Sequence, residues 1–114
     1  MNEVSIGEVI DRQLDFYNDH DMDGFLSTYS EAVELFNQGE ALPFMVGHGA
    51  MRERYSKRFS NPALKANIAS RMVMGNFVID HEHIEGIIEN DIVKAIVIYE
   101  VLDGLIRRAW FIRE

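Results

Sequence analysis

The chain contains no cysteine, only two prolines and no long uninterrupted apolar segment. Without cysteine there are no disulfides, no thiolate metal ligands and no cysteine nucleophile. The amino-terminal segment MNEVSIGEVI has neither a basic cluster nor a continuous apolar run, so we expect no signal peptide. No later segment approaches the length needed to span a bilayer. We therefore expect a cytoplasmic protein without a membrane partner.

Basic residues are also scarce. The 19 acidic residues outnumber the 11 basic ones and give a formal net charge of −8. Because nucleic-acid affinity depends largely on Lys and Arg replacing counterions at phosphates, this balance argues against a nucleic-acid partner. The 114 residues, 47% of them hydrophobic, are enough for one core and leave no room for a second domain. We expect a single domain over residues 1–114.

Apolar spacing changes from helical in the first half of the chain to alternating in the second half. Asp21 can cap the second helix, since its carboxylate can accept from free amides in the first turn. The predicted helices are 3–19, 22–29 and 47–59, and the predicted strands are 32–36, 43–46, 64–74, 77–85 and a pair after residue 92. Helices followed by antiparallel strands in one short chain predict an α+β fold.

The segment Ile92–Glu114 predicts a β-hairpin that turns at Asp103-Gly104, a dipeptide suited to the positive φ of a two-residue turn. This turn pairs Val101 with Ile106 and makes each face of the hairpin largely apolar. One predicted face includes Val97, Tyr99, Arg108 and Trp110, and the centre of the other consists of Ile96, Ile98, Ala109 and Phe111. Because a large apolar face is unfavourable when it is exposed to solvent, we expect helices to cover the first face and a second subunit to cover the other.

Several segments resemble the SnoaL-like branch of the NTF2-like superfamily. They are YNDHDMDGFLSTYSEAVEL, GHGAMRERY, GNFVIDHE and YEVLDGLIRRAWFIRE, and the resemblance covers almost the whole chain. It implies a cone-shaped, strongly curved, mostly antiparallel sheet wrapped around three N-terminal helices. It also implies an apolar interior that opens at one end, and homodimers packed through the convex sheet face. The resemblance is less specific for the chemistry than for the fold, since the superfamily includes isomerases, polyketide cyclases, dehydratases, hydrolases and noncatalytic domains.

Ketosteroid isomerase, a relative with this architecture, uses a tyrosine and a protonated aspartate as an oxyanion hole and a second aspartate as base. Alignment on the junction of the first two helices places Gln13 at the tyrosine position and Asn37 at the base position. The protonated aspartate falls on Tyr99 or Ile98, depending on the gap. An amide cannot hold a transferred proton, so the resemblance does not extend to steroid isomerisation by that mechanism.

Six residues are predicted to bind a ligand in the interior: Gln13, Tyr17, Tyr55, Tyr99, Arg108 and Trp110. Gln13 lies within an apolar helical stripe, where its amide either orients a ligand oxygen or only bonds Tyr17, Tyr55 or the backbone. Tyr99 and Trp110 offer flat walls for a ring, or are ordinary core. Arg108 either binds an acidic substrate or forms ion pairs with neighbouring carboxylates that hold strands together.

Asp80 and His81 are the candidates for proton transfer, although neighbours on a strand face opposite sides. A turn at Gly75-Asn76 sets Arg71 opposite Asp80 and Ala69 opposite Glu82. Either Arg71, Asp80 and Glu82 face the interior, or His81 and His83 do. The two histidines alone lack the further ligands that a metal site needs, so we expect neither a metal nor another cofactor.

Two classes of function fit this sequence. The first is a cofactor-free isomerase, cyclase or dehydratase that acts on a small, apolar ring compound by acid and base catalysis. The second is a noncatalytic module that binds a hydrophobic or aromatic molecule or only dimerises. A titratable side chain with a displaced pKa in an open pocket favours the enzyme, whereas a closed and wholly apolar interior favours the noncatalytic module.

Overall fold

The computed structural model describes residues 5–113, which form three helices and one six-stranded sheet. The helices are α1 (Ile6–Asn18), α2 (Met22–Ser27) and α3 (Gly47–Phe59). The strands are β1 (Tyr29–Asn37), β2 (Met45–Val46), β3 (Lys65–Met74), β4 (Phe77–Glu85), β5 (Ile92–Leu102) and β6 (Leu105–Arg113). This order confirms the predicted α+β fold.

The helix ends follow local capping chemistry. The Ser5 hydroxyl accepts from the Glu8 amide at 3.2 Å at the start of α1. The Asp21 carboxylate accepts from the Gly24 amide at 3.0 Å, which confirms the predicted cap of α2. None of the helices in residues 5–113 is long and apolar enough to cross a bilayer.

The sheet has the order β2-β1-β6-β5-β4-β3, in which β1 and β6 are parallel and all other neighbours are antiparallel. Helix α1 packs on β3 and β4, α3 packs on β1 and β2, and α2 joins the two helices. One face of the curved sheet is therefore covered and holds the core. The mostly antiparallel sheet around three helices confirms the predicted cone.

The hairpin of β5 and β6 has the predicted turn but not the predicted register. Val101 lies opposite Ile106 as expected, whereas Glu100 lies opposite Arg108, so Arg107 is an extra residue in β6. Such a bulge shifts the pairing by one position. Because strand side chains alternate, every residue after Arg107 changes face relative to the prediction.

The prediction that Arg108 and Trp110 point into the interior is therefore wrong. Arg108 lies on the outer face, where it forms ion pairs with Glu34 at 3.1 Å and Glu100 at 3.7 Å. The Trp110 ring stacks on Phe36 on that face, with 5.6 Å between centroids. Arg108 thus takes the strand-joining role that was the alternative to substrate binding.

The same shift moves Ala109 and Phe111 from the predicted outer face to the inner face. Ala109 is 0% exposed and lies opposite Tyr99, while Phe111 packs against the core from a position opposite Val97. Ile96 and Ile98 do lie on the outer face, as predicted, opposite Ile112 and Trp110.

The β3–β4 hairpin shows which side chains of β4 face the interior, the carboxylates or the histidines. Asp80 and Glu82 are buried on the inner face, and His81 and His83 alternate with them on the outer face. Arg71 lies opposite Asp80 as predicted, but a bulge at Ile68–Ser70 places Ile68 rather than Ala69 opposite Glu82. The prediction that His81 acts within the interior is therefore wrong.

Gly86, directly after β4, fixes the start of the loop that leads to β5. Its φ is +91°, and a Cβ atom there would lie 2.6 Å from backbone atoms of Leu64. The Asn61 side chain also donates to the Gly86 carbonyl at 2.8 Å. The residue therefore has a steric reason to be glycine as well as a conformational one.

We expect Gly86→Ala to lower the free energy of unfolding by about 2 to 4 kcal/mol, because left-handed strain and overpacking add. Urea denaturation measures this loss. Gly75→Ala is the matched control, since Gly75 also has a positive φ of +58° but has nothing within 4 Å of a Cβ atom. We expect it to cost only about 1 to 2 kcal/mol. Equal losses in the two variants would contradict a role for the contact with Leu64.

Candidate functional site

A cavity of about 220 Å³ lies between the helices and the inner face of the sheet. All four tyrosines of the chain line it, and they come from α1, β1, α3 and β5: Tyr17, Tyr29, Tyr55 and Tyr99. Apolar side chains complete much of the wall, including Leu14, Ile84, Val93, Val97 and Phe111. The cavity thus combines flat apolar surfaces with a few oxygen atoms, which suits a ring-bearing molecule.

A broader and more open depression of about 1070 Å³ lies beside the loop between β4 and β5. Ile87 and Ile88 of this loop line both the depression and the cavity. The charged side chains around the depression, such as Glu89 and Asp91, are exposed rather than buried. The depression therefore offers no buried ionisable group, and the cavity between the helices and the sheet is the better candidate site.

Glu82 is the buried carboxyl group of the cavity. Its Oε2 accepts a hydrogen bond from the Tyr99 hydroxyl at 2.9 Å, which leaves Oε1 available to a bound molecule. Burial raises the pKa of Glu82 to about 7, the Tyr99 hydrogen bond opposes that rise, and the Asp80 charge adds to it. Near neutral pH the side chain is therefore present in both protonation states, which suits a group that takes and returns a proton.

Asp80 is buried on the same face of β4 but already has a cationic partner, Arg71. Both of its oxygens accept from Arg71, at 2.6 Å from Nε and 2.9 Å from Nη2. Arg71 also binds Asp11 of α1 at 2.6 Å, so the three residues join α1 to the β3–β4 hairpin. Asp80 is not among the residues that line the cavity. Its contacts indicate a structural ion pair rather than a proton-transfer group.

Gln13 and Tyr29 form a polar pair in the cavity wall. The Gln13 side-chain amide donates to the Tyr29 hydroxyl at 3.2 Å, and both residues are buried. This partner differs from Tyr17 and Tyr55, which sequence reasoning offered. The carbonyl oxygen of the Gln13 amide remains an acceptor, and the Tyr29 hydroxyl retains its proton because burial raises the pKa of Tyr29.

Tyr17 carries the one buried side-chain polar atom, within residues 5–113, that has no hydrogen-bond partner. Burial raises the pKa of Tyr17 and the nearby Arg58 guanidinium opposes that rise, so at neutral pH the hydroxyl keeps its proton and can donate a hydrogen bond. A buried hydroxyl without a partner costs on the order of 1 to 3 kcal/mol. An oxygen atom of a bound molecule would remove that cost.

The structure brings together only some of the predicted site residues. Gln13, Tyr17, Tyr55 and Tyr99 line the cavity, whereas Arg108 and Trp110 do not. His81 lies on the outer face with its ring 5.0 Å from that of His83. In the described part of the chain, no three His, Cys, Asp or Glu side chains are placed to hold a metal ion.

Sequence reasoning considered Glu82 only as one member of a carboxylate cluster with Asp80. The alternation of Asp80, His81, Glu82 and His83 shows that both acids share a face, but it does not show which face is covered. The burial of Glu82 beside Tyr99, without a cation of its own, is a tertiary feature. The closeness of Glu82 and Tyr99 follows from the pairing of β4 with β5, and the sequence pattern did not show which residues of these strands lie side by side.

The model of the SnoaL-like domain family matches residues 10–109, so the chain belongs to this family. No curated protein matches the sequence. The fold agrees with solved structures of low sequence identity. A cystatin-fold protein from Novosphingobium aromaticivorans has a TM-score of 0.85 and 19% identity, with 97% of this chain and 100% of that chain covered.

Two further structures have functional names. A proposed ketosteroid isomerase from Kribbella flavida has a TM-score of 0.78 and 14% identity, covering 96% of this chain and 77% of that chain. A proposed polyketide cyclase from Sinorhizobium meliloti has a TM-score of 0.76 and 15% identity, covering 92% and 94%. At such identities the similarity establishes the NTF2-like fold and nothing about the reaction.

The pKa of Glu82 predicts how stability depends on pH. Because the folded-state pKa is about 7 against an ordinary 4.5, the folded protein holds this proton more tightly. The stabilising contribution is complete below about pH 4.5 and is lost as the pH rises through 7. Glu82→Gln cannot ionise, so we expect its stability relative to the unmodified protein to increase by about 2 to 3 kcal/mol between pH 4.5 and 8.

Urea denaturation at several pH values measures this difference. Glu53→Gln removes an exposed carboxylate from α3 and serves as the control, with an expected change of no more than about 0.5 kcal/mol. A constant difference between Glu82→Gln and the unmodified protein across this range would contradict the raised pKa.

Proposed function

We propose that the protein is a cofactor-free isomerase, cyclase or dehydratase that moves a proton on a small, apolar ring compound in the 220 Å³ cavity. Buried Glu82, held by Tyr99 in a largely apolar wall, is the observation that carries this proposal. Burying an ionisable carboxyl group without a cationic partner is unfavourable for stability. A module that only binds apolar molecules has no need of it, which favours the enzyme over the noncatalytic alternative.

The cavity supplies the groups that proton transfer requires. In an isomerisation, the Glu82 carboxylate takes a proton from the carbon between a carbonyl group and a carbon–carbon double bond, and the same proton returns to the far carbon of the resulting dienolate, so that the double bond moves into conjugation. The Tyr17 hydroxyl, which lacks a protein partner, donates to the carbonyl oxygen as negative charge develops on it. Tyr99 orients Glu82 through its hydrogen bond, and the Gln13–Tyr29 pair provides a further polar contact.

The size of the cavity supports a small substrate. Its volume of about 220 Å³ is below the range of roughly 300 to 1,000 Å³ that is common for ligand pockets. One or two rings suit this space better than the four rings of a steroid. The names of the two proposed relatives, an isomerase and a cyclase, support acid and base chemistry in this fold but not a shared substrate.

We expect the protein to catalyse exchange of the α-hydrogens of one- and two-ring ketones, such as cyclohexenone and tetralone, with solvent deuterium. Proton NMR in D2O measures the rate. Glu82→Gln should lower it at least a hundredfold, since general acid and base catalysis commonly contributes that much. Tyr17→Phe should lower it about tenfold or more, because the developing oxyanion loses a donor.

Glu53→Gln is the matched control and should retain the rate of the unmodified protein. Exchange that is insensitive to Glu82→Gln would exclude Glu82 as the proton carrier. If ketones raise the melting temperature but exchange no hydrogen, the noncatalytic binding module is the correct class.

We also propose that the protein forms a homodimer through the outer face of the sheet. This face carries apolar side chains from four neighbouring strands: Met72, Phe77, Ile79, Ile96, Ile98, Trp110 and Ile112. Several are well exposed in one subunit, among them Met72 at 65% and Ile96 at 38%. A continuous exposed apolar face of this kind is typical of a protein–protein interface.

We expect Ile98→Asp to convert the dimer to a monomer, because the interface would bury an unpaired charge. Light scattering after size-exclusion chromatography measures the molar mass. Ser56→Asp places the same charge on the exposed side of α3 and should leave the dimer intact. A dimer that survives Ile98→Asp, or an unmodified protein that is monomeric, would show that this face is not the interface.

A further inference from the structure

Three arginines in or beside the cavity wall form what we call the arginine cluster, Arg54, Arg58 and Arg113. Arg58 and Arg113 are among the residues that line the cavity. Arg54 and Arg113 both lie against the ring of Phe44, with their Cζ atoms 5.4 and 5.7 Å from its centroid. The stacking against aromatic rings holds these flexible side chains in place.

The arginine cluster has no carboxylate to neutralise it within residues 5–113. Arg113 Nη1 donates to the Asn37 side-chain oxygen at 2.5 Å, and that partner is a neutral amide. Burial and the neighbouring Arg54 and Arg58 charges lower the pKa of Arg113, as expected where cations repel one another. A bound anion would relieve this repulsion.

Of the five other arginines, only the exposed Arg12 of α1 also lacks an ion pair within residues 5–113. The chain has a net charge of −8, so acidic partners are abundant. Arg52, Arg71, Arg107 and Arg108 each form an ion pair with an aspartate or glutamate. Positive charge that is left without such a partner beside a cavity is therefore available to a ligand.

The sheet sets the distance between the arginine cluster and Glu82. Arg113 lies opposite Ala95, and Ala95 lies opposite Glu82 on the next strand. All three residues line the cavity. Because adjacent strands are about 4.8 Å apart, the backbones of Arg113 and Glu82 are roughly 10 Å apart. One substituted ring can span the space between their side chains.

We propose that the substrate is a small ring compound that bears a carboxylate, which Arg58 and Arg113 bind while the ring lies against the apolar wall. This inference rests on the proposed function and names its substrate class. Guanidinium groups bind carboxylates through paired hydrogen bonds. The arginine cluster attracts the carboxylate and the buried acid repels it, so one orientation is favoured and a ring carbon faces Glu82.

The test compares two probes of the same shape, 2-naphthoate and its neutral analogue 2-naphthamide, by isothermal titration calorimetry. We expect the unmodified protein to bind the carboxylate at least tenfold more tightly, which corresponds to about 1.4 kcal/mol. The preference should fall as the salt concentration rises. The doubly substituted variant with Arg58→Gln and Arg113→Gln should bind both probes within twofold of each other.

Arg52→Gln is the matched control, since Arg52 lies on α3 with an exposed partner, Asp23, away from the cavity. It should retain the full preference. Circular dichroism checks that the variants fold. If the double variant does not fold, Arg58→Gln alone replaces it, and we expect this single substitution to reduce the carboxylate preference about threefold.

Equal affinities for the two probes in the unmodified protein would overturn the inference, as would a preference that survives loss of both arginines or an absence of binding to either probe. Glu82→Gln should keep the preference for the carboxylate. If Glu82-dependent deuterium exchange occurs on neutral ketones while no carboxylate preference is found, the substrate class is wrong and the proposed catalysis stands.

Discussion

The alternation of side chains along a strand means that one extra residue reverses every face beyond it. In β6 that residue is Arg107, which has no opposite neighbour on β5. Beyond it, Phe111 and Arg113 turn into the cavity and Trp110 turns outward. The contributions of β6 to the apolar wall, to the arginine cluster and to the aromatic outer surface therefore all depend on this single bulge.

The inner face of β4 shows how position alone gives two acids different roles. Asp80 and Glu82 are two residues apart and both buried, but Arg71 reaches only Asp80 with two hydrogen bonds. Glu82 has a neutral hydroxyl as its partner, so desolvation dominates and the pKa of Glu82 rises to about 7. One carboxylate stabilises the fold, and the other is the proton carrier of the proposed reaction.

The sequence predicted those features that depend on local pattern. The bounds of α3 and β4 are the predicted 47–59 and 77–85, and Gln13 is buried as its helical stripe indicated. The resemblance to the SnoaL-like family supplied the curvature, which no local pattern shows. The bulge at Arg107 was missed because two adjacent arginines carry no glycine and no break in polarity to mark an extra residue.

The environment of each ionisable group could not be predicted in the same way. The pKa of Glu82 depends on its burial and on Tyr99, which is 17 residues away in sequence. The arginine cluster joins α3 to the last described residue of β6, so it exists only once the sheet has closed around the helix. Sequence reasoning did look for an arginine that binds an acidic substrate, but it chose Arg108 because the register was wrong by one residue.

The distribution of aromatic residues gives the protein two separate optical reporters. All four tyrosines surround the cavity, whereas the single tryptophan, Trp110, lies on the opposite side of the sheet. Ultraviolet difference absorption from the tyrosines therefore reports on occupancy of the interior, and tryptophan emission reports on solvent access to the outer surface. The unmodified polypeptide can thus be followed through two distinct events without an attached dye.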